Sequence, residues 1–188
     1  MDFILITLIT FAAVFVIVEL TRGLQTYLKF RGKRIVSCPE THQDAAVRVS
    51  AGKAAWEEIV GSEQIHLSEC SRWPEKEACG QECLQQIEKD PKACLVWTII
   101  NNWYQGQECS YCHKPFTEIL WHDHPPALRD KNGKTFQWNE VRAENLHEMF
   151  ATHSPVCWDC HIAETFRREH PDMVVDRRPD SRRMTLYH

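Results

Sequence analysis

Two stretches of this sequence share one spelling, Cys109-x-x-Cys112-His113 and Cys157-x-x-Cys160-His161, with 44 residues between the pairs. Thiols spaced this closely act through one tight turn, so each pair either carries a group of its own or meets the other around a shared ion. With its histidine, each pair spells a covalent haem attachment site; without it, the two pairs supply the four sulfurs of a closed tetrahedral zinc site. The chain holds nine Cys and ten His in 188 residues. A framework built wholly of disulfides must leave one thiol over, whereas metal ligation accounts for the surplus of both residue types. A chain of this length buries only a modest core, and a metal would help it fold.

The compartment bears on which group is bound. Residues 3–20, FILITLITFAAVFVIVEL, are apolar apart from Thr7, Thr10 and a near-terminal Glu19. At about 1.5 Å per residue they cross most of a hydrocarbon layer roughly 30 Å thick, which predicts a single transmembrane helix. Neither MDF before them nor VIVELTRG at their end has the basic start and small-residue cleavage site of a signal peptide. Arg22, Lys29, Arg31, Lys33 and Arg34 follow the span and no Lys or Arg precedes it, so the positive-inside rule predicts a cytoplasmic soluble part. There, paired cysteines hold metals more often than they form disulfides. Bacterial c-type haem is attached on the outer side of the membrane, so the same orientation favours zinc.

The predicted fold class is α+β: a transmembrane anchor and basic juxtamembrane segment over 1–34, a hairpin and helical cysteine-containing region over 35–106, a metal-binding module over 107–170, and an Arg-rich tail over 171–188. In the second region, β-prone runs at 35–36 and 46–49 predict a hairpin carrying Cys38. Ala54, Ala55, Ile59 and Val60 predict a short helix ended by Gly61. Cys79, Cys83 and Ile87 recur at spacing four, as on one helical face. Asp90 and Pro91 predict the start of another helix, closed by Gly106, with Ala93, Trp97, Ile100 and Tyr104 facing inward. Cys70, Cys79, Cys83 and Cys94 are either buried thiols, two disulfides or a second metal site. The other tryptophans, Trp103, Trp121, Trp138 and Trp158, are expected in the core.

In the third region, CSYCHKPF reads as a zinc knuckle, Asn132-Gly133 as a turn between candidate strands 119–122 and 135–138, and CWDCHIAETFRREH as a helix with a thiol pair in its first turn. Knuckle, hairpin and helix in this order resemble a treble-clef zinc finger, and within that group the HNH endonucleases. The resemblance covers about residues 109–170 and is carried by Asp123-His124 in WHDHPPAL, Asn145 in AENLHEMF and His161 in CWDCH. It implies that Asp123 and His161 hold a catalytic divalent cation such as magnesium or manganese, which polarises a DNA phosphodiester. His124 would be the general base and Asn145 the residue that orients it. Cys109, Cys112, Cys157 and Cys160 would hold a purely structural zinc. Two features depart from the family: the interval from Asn145 to His161 is long, and residues 107–188 carry 11 Lys and Arg against 13 Asp and Glu, so no basic field steers DNA.

Two readings of other classes accompany it. One is a non-enzymatic zinc scaffold within a larger membrane protein complex. The other resembles the multihaem c-type cytochromes, with one haem on Cys109, Cys112 and His113 and a second on Cys157, Cys160 and His161, facing the periplasm. Arg167, Arg168, Arg177, Arg178, Arg182 and Arg183 form either a flexible tail or a set of phosphate contacts.

Overall fold

The structure, a computed structural model, describes residues 2–62, 64–73, 75 and 78–174. It divides into two compact units, residues up to 103 together with 142–148, and 104–141 together with those from 149 onward. The tail arginines at 177, 178, 182 and 183 lie outside the described residues.

The first unit opens with helix α1 (Asp2–Phe30), long and apolar enough to cross a membrane. None of its most apolar 18-residue window is buried in the protein. Its polar side chains are turned back on the helix itself: the hydroxyls of Thr7 and Thr10 donate to the carbonyls of Phe3 and Thr7, at 2.8 and 2.9 Å. The last third of α1 packs on helix α2 (Ala51–Val60), where Gly23 lets the two approach so closely that a Cβ would stand 2.8 Å from the Ile59 Cδ1.

The end of α1 is built around a buried cation. Arg34 is only 1% exposed, and its guanidinium donates to the carbonyls of Lys29 and Phe30 at 2.6 Å, and to those of Gly32, Pro91 and Arg31 at 3.1, 3.2 and 3.3 Å. A helix leaves its last carbonyls without intrahelical donors and its C-terminus partially negative, and one planar fork answers both. Gly32 sits at φ 100°, the turn that brings the chain back under the helix.

Strands β1 (Lys33–Ser37), β2 (Asp44–Val49) and β3 (Leu67–Cys70) form an antiparallel sheet in that order. The predicted hairpin is thus present, with Cys38 in its turn. Phe30, Val36, Val47, Val49, Ala54, Leu67 and Ile87 form its core, with Cys83 among them. Two expectations need correction. Cys79 is not helical: Gln81 takes a left-handed φ of 55°, and helix α3 (Leu84–Lys89) begins only after Cys83. Asp90 Oδ1 does accept from the amides of Lys92 and Ala93, but it caps a turn. Leu95 forms a bridge with Arg34, so helix α4 (Val96–Tyr104) starts at Val96. Trp97 consequently lies 47% exposed, against the expected inward stripe. Ala143 and Leu146 return to this unit and are buried in it, and the His147 ring bonds to the Asp44 carboxylate.

The second unit is organised by strand β4 (Ala127–Arg129), which lies between β5 (Thr135–Phe136) and β6 (Ser154–Val156), both antiparallel to it. The upstream hairpin strand is therefore 127–129, and residues 119–122 run into turns instead. Asp130 decides the register: its carboxylate accepts the amides of Asn132 and Lys134, both at 2.8 Å, so pairing resumes at Arg129 opposite Thr135. Tyr104 is wholly buried; its hydroxyl donates to the Ala127 carbonyl at 2.8 Å and accepts the Trp138 indole N–H at 3.0 Å. Phe116, Trp121 and Trp138 surround the same ring. Helix α5 (Leu146–Thr152) precedes β6, and helix α6 (Trp158–Glu169) follows it.

Candidate metal centre

The turn at 109–114 is a closed loop of backbone hydrogen bonds. The Cys109 amide donates to the Lys114 carbonyl and the His113 amide to the Cys109 carbonyl, each at 2.9 Å, with His113 in the left-handed region at φ 58°. This conformation points amides inward at the first sulfur. The partner pair arrives on β6 and α6: Cys157 is the N-cap of α6 and Cys160 stands in its first turn. The Ser110 amide donates to the Pro155 carbonyl at 2.9 Å, tying the knuckle to β6.

Cys109, Cys112, Cys157 and Cys160 therefore meet, and their four sulfurs all lie within 4.8 Å of one another. Cys112 Sγ and Cys157 Sγ are 3.7 Å apart, and Cys109 Sγ accepts the Cys157 amide at 3.3 Å. Four convergent thiols fit a single soft cation such as zinc: four S–M bonds of about 2.3 Å place tetrahedral sulfurs at about this separation. Cys109 and Val156 are fully buried, with Tyr111 and Phe116 packed against them, so the site is backed by the core of its unit.

The thiols are not equivalent. Burial pushes Cys109 up, but the amides of Cys112, Cys157 and Tyr111 outweigh it and bring the group down to about 7. Burial, then the neighbouring sulfurs, pushes Cys160 up, and burial does the same to Cys157. A first thiolate is thus ready near neutral pH, while a cation must displace protons from Cys157 and Cys160.

His161, the residue after the second pair, turns away from the sulfurs into the unit. It is 6% exposed and its Nδ1 lies 2.9 Å from the Thr135 hydroxyl. Burial lowers its pKa, with Glu140 opposing and Arg168 reinforcing the shift, which keeps the ring neutral. His124 is exposed in the turn before β4; its ring lies 6.3 Å from that of Trp158, which in turn lies 6.0 Å from that of His161. The indole thus neighbours both histidines. Asp123 is exposed beside His124, and Asn145 is an exposed residue of the first unit. Among the described residues, the four-cysteine set is the one group of three or more metal-ligating side chains whose ligand atoms already lie within 4.8 Å of one another; Asp123 joins none. His113 is exposed on the outside of its turn.

Sequence reasoning missed the two features that shape this unit most, Thr135 as the partner of His161 and Trp158 as a neighbour of His124; no local spacing signals either. No family model, curated protein or solved structure matches the chain.

Proposed function

We propose that this protein is a membrane-anchored zinc module whose metal is structural and whose role is to present a stiff, folded surface to partners at the membrane. The convergence of four sulfurs within 4.8 Å carries this reading. An ion closed by four thiolates keeps no position for water or substrate, so it fastens knuckle to helix and does no chemistry itself. The order knuckle, antiparallel strands, helix with a thiol pair at its start supports a treble clef. The same convergence favours one ion over two haems, since each haem needs its own cysteine pair and histidine spread around a porphyrin.

The anchor rests on α1. Its apolar stretch has no cover within the protein, while Gly23 and Phe30, farther along the same unbroken helix, are buried in the first unit. Arg22, Lys29, Arg31 and Lys33 remain exposed beyond the span and support a cytoplasmic orientation. On α6, Ile162 and Phe166 lie one turn apart and are 44% and 45% exposed, a small apolar face suited to a protein partner.

A second reading, HNH-type hydrolysis of DNA, is favoured by one observation: His124 and His161 both neighbour Trp158, and His161 Nδ1 is engaged by the Thr135 hydroxyl, so Nε2 would be the nitrogen to meet a cation in that reading. In that reading Asp123 and His161 bind magnesium or manganese and His124 activates water. Plasmid nicking by the purified full chain decides between the two. The module reading expects no nicking above background with either cation; nicking that disappears in His124→Ala would establish the nuclease.

A further inference from the structure

A second group of cysteines, in the first unit, is assembled by the fold from four separate places. Cys38 follows β1, Cys70 ends β3, Cys79 lies in the loop beyond it, and Cys83 immediately precedes α3. All four line one cavity of about 100 Å³, together with Val36, Leu67 and Trp73; their sulfurs are not gathered as closely as those of the Cys109 set, so an ion would draw them in around the cavity. The expected fourth member, Cys94, is elsewhere: its thiol faces the Gln86 carbonyl at 3.7 Å.

The turn that carries Cys38 matches the knuckle of the second unit bond for bond. The Cys38 amide donates to the Gln43 carbonyl at 2.9 Å, as the Cys109 amide does to that of Lys114. The His42 amide donates to the Cys38 carbonyl at 2.8 Å, as the His113 amide does to that of Cys109. His42 stands at φ 53° and His113 at φ 58°. The backbone amides of Thr41 and Glu40 are aimed at the Cys38 sulfur, as the corresponding amides of Cys112 and Tyr111 are at Cys109. A backbone loop that directs several donors at one sulfur is built for a thiolate. The surroundings are otherwise those of a core, since Cys83 belongs to the buried cluster and Cys38 and Cys70 pack against it. Four thiols in an apolar pocket can all ionise only around a cation, because thiolates brought together without one repel.

We infer that Cys38, Cys70, Cys79 and Cys83 form a second thiolate metal centre, which binds a zinc ion and fastens the loops of the first unit to its sheet. The inference is independent of the role assigned to the second unit. It also accounts for the odd cysteine count: four ligands in each unit, and Cys94 as the single thiol left over.

The test is the metal content of the full chain, purified in detergent micelles under reducing conditions and measured by plasma mass spectrometry. The expected result is two zinc ions per chain, falling to one in the double variant Cys79→Ser/Cys83→Ser, to one in Cys109→Ser/Cys112→Ser, and staying at two in Cys94→Ser. A variant that does not fold is replaced by cobalt titration of the metal-free wild-type chain: sulfur-to-cobalt charge-transfer absorption should keep rising to two equivalents. A single equivalent in that titration, a wild-type content of one zinc unaffected by changes at Cys79 and Cys83, disulfides among these four cysteines, or iron with acid-labile sulfide would each overturn the inference.

Discussion

Replacing Arg34 by Met should loosen the junction between α1 and the sheet. The guanidinium makes two short bonds of 2.6 Å, to Lys29 and Phe30, and three longer ones. At about 1.5–3 kcal/mol for each short charge-assisted bond, their loss costs about 3–6 kcal/mol. Part of this returns, because burial opposes the charged form of Arg34, as its lowered pKa records; the net loss is about 2–4 kcal/mol. Arg34→Lys keeps the charge, and with it the basic flank of the span, but a point charge with three donors cannot reproduce a planar fork. It should lose about half as much. Urea unfolding of the full chain in micelles, followed by tryptophan fluorescence, gives both values. A loss below about 1 kcal/mol in Arg34→Met would show that the α1 carbonyls find other donors, and the capping argument would fail.

Three further outcomes follow from the second unit. Tyr104→Phe removes the hydroxyl that links the Trp138 indole to the Ala127 carbonyl and should cost about 1–3 kcal/mol by thermal melt. Burial raises the pKa of Tyr104 above its ordinary value of 10, so the stability it contributes is full below pH 10 and is lost as pH rises beyond it; the alkaline slope of the melting temperature should flatten in Tyr104→Phe. His161 has the opposite sign. Its pKa lies below 6.5, so its contribution is full above pH 6.5 and is lost as pH falls towards the folded value. Its ring resonances should titrate below 6.5, and His161→Gln should lessen the acid loss. Stripping metal with a strong chelator should unfold the second unit, since a structural zinc contributes on the order of ten kcal/mol, and readdition of zinc should restore its tryptophan emission.

What the sequence disclosed was the local chemistry. An uninterrupted apolar run became α1, and two thiol pairs of fixed spacing became one quartet, because each signal is complete within a few residues. α6 was legible for the same reason: its thiol pair sits in its own first turn. The misplaced pieces depend on distant partners or on single backbone angles. Residues 119–122 look like a strand, yet Asp130 sets the pairing through two amides and selects 127–129. Cys79 and Cys83 share a helical spacing that the left-handed Gln81 interrupts. Arg34 reads as one more juxtamembrane charge, and only the geometry of the chain turning beneath α1 reveals that it is buried. Cys38 joins Cys70 through sheet pairing across 32 residues, where no spacing rule applies.

The most direct test of the thiolate centre is zinc X-ray absorption on the Cys79→Ser/Cys83→Ser chain, in which the Cys109, Cys112, Cys157 and Cys160 set is the site left intact. The account predicts one zinc with four sulfur neighbours at about 2.3 Å and no nitrogen or oxygen in the coordination shell. A shell containing imidazole or water, or haem absorption from the wild-type chain, would contradict it.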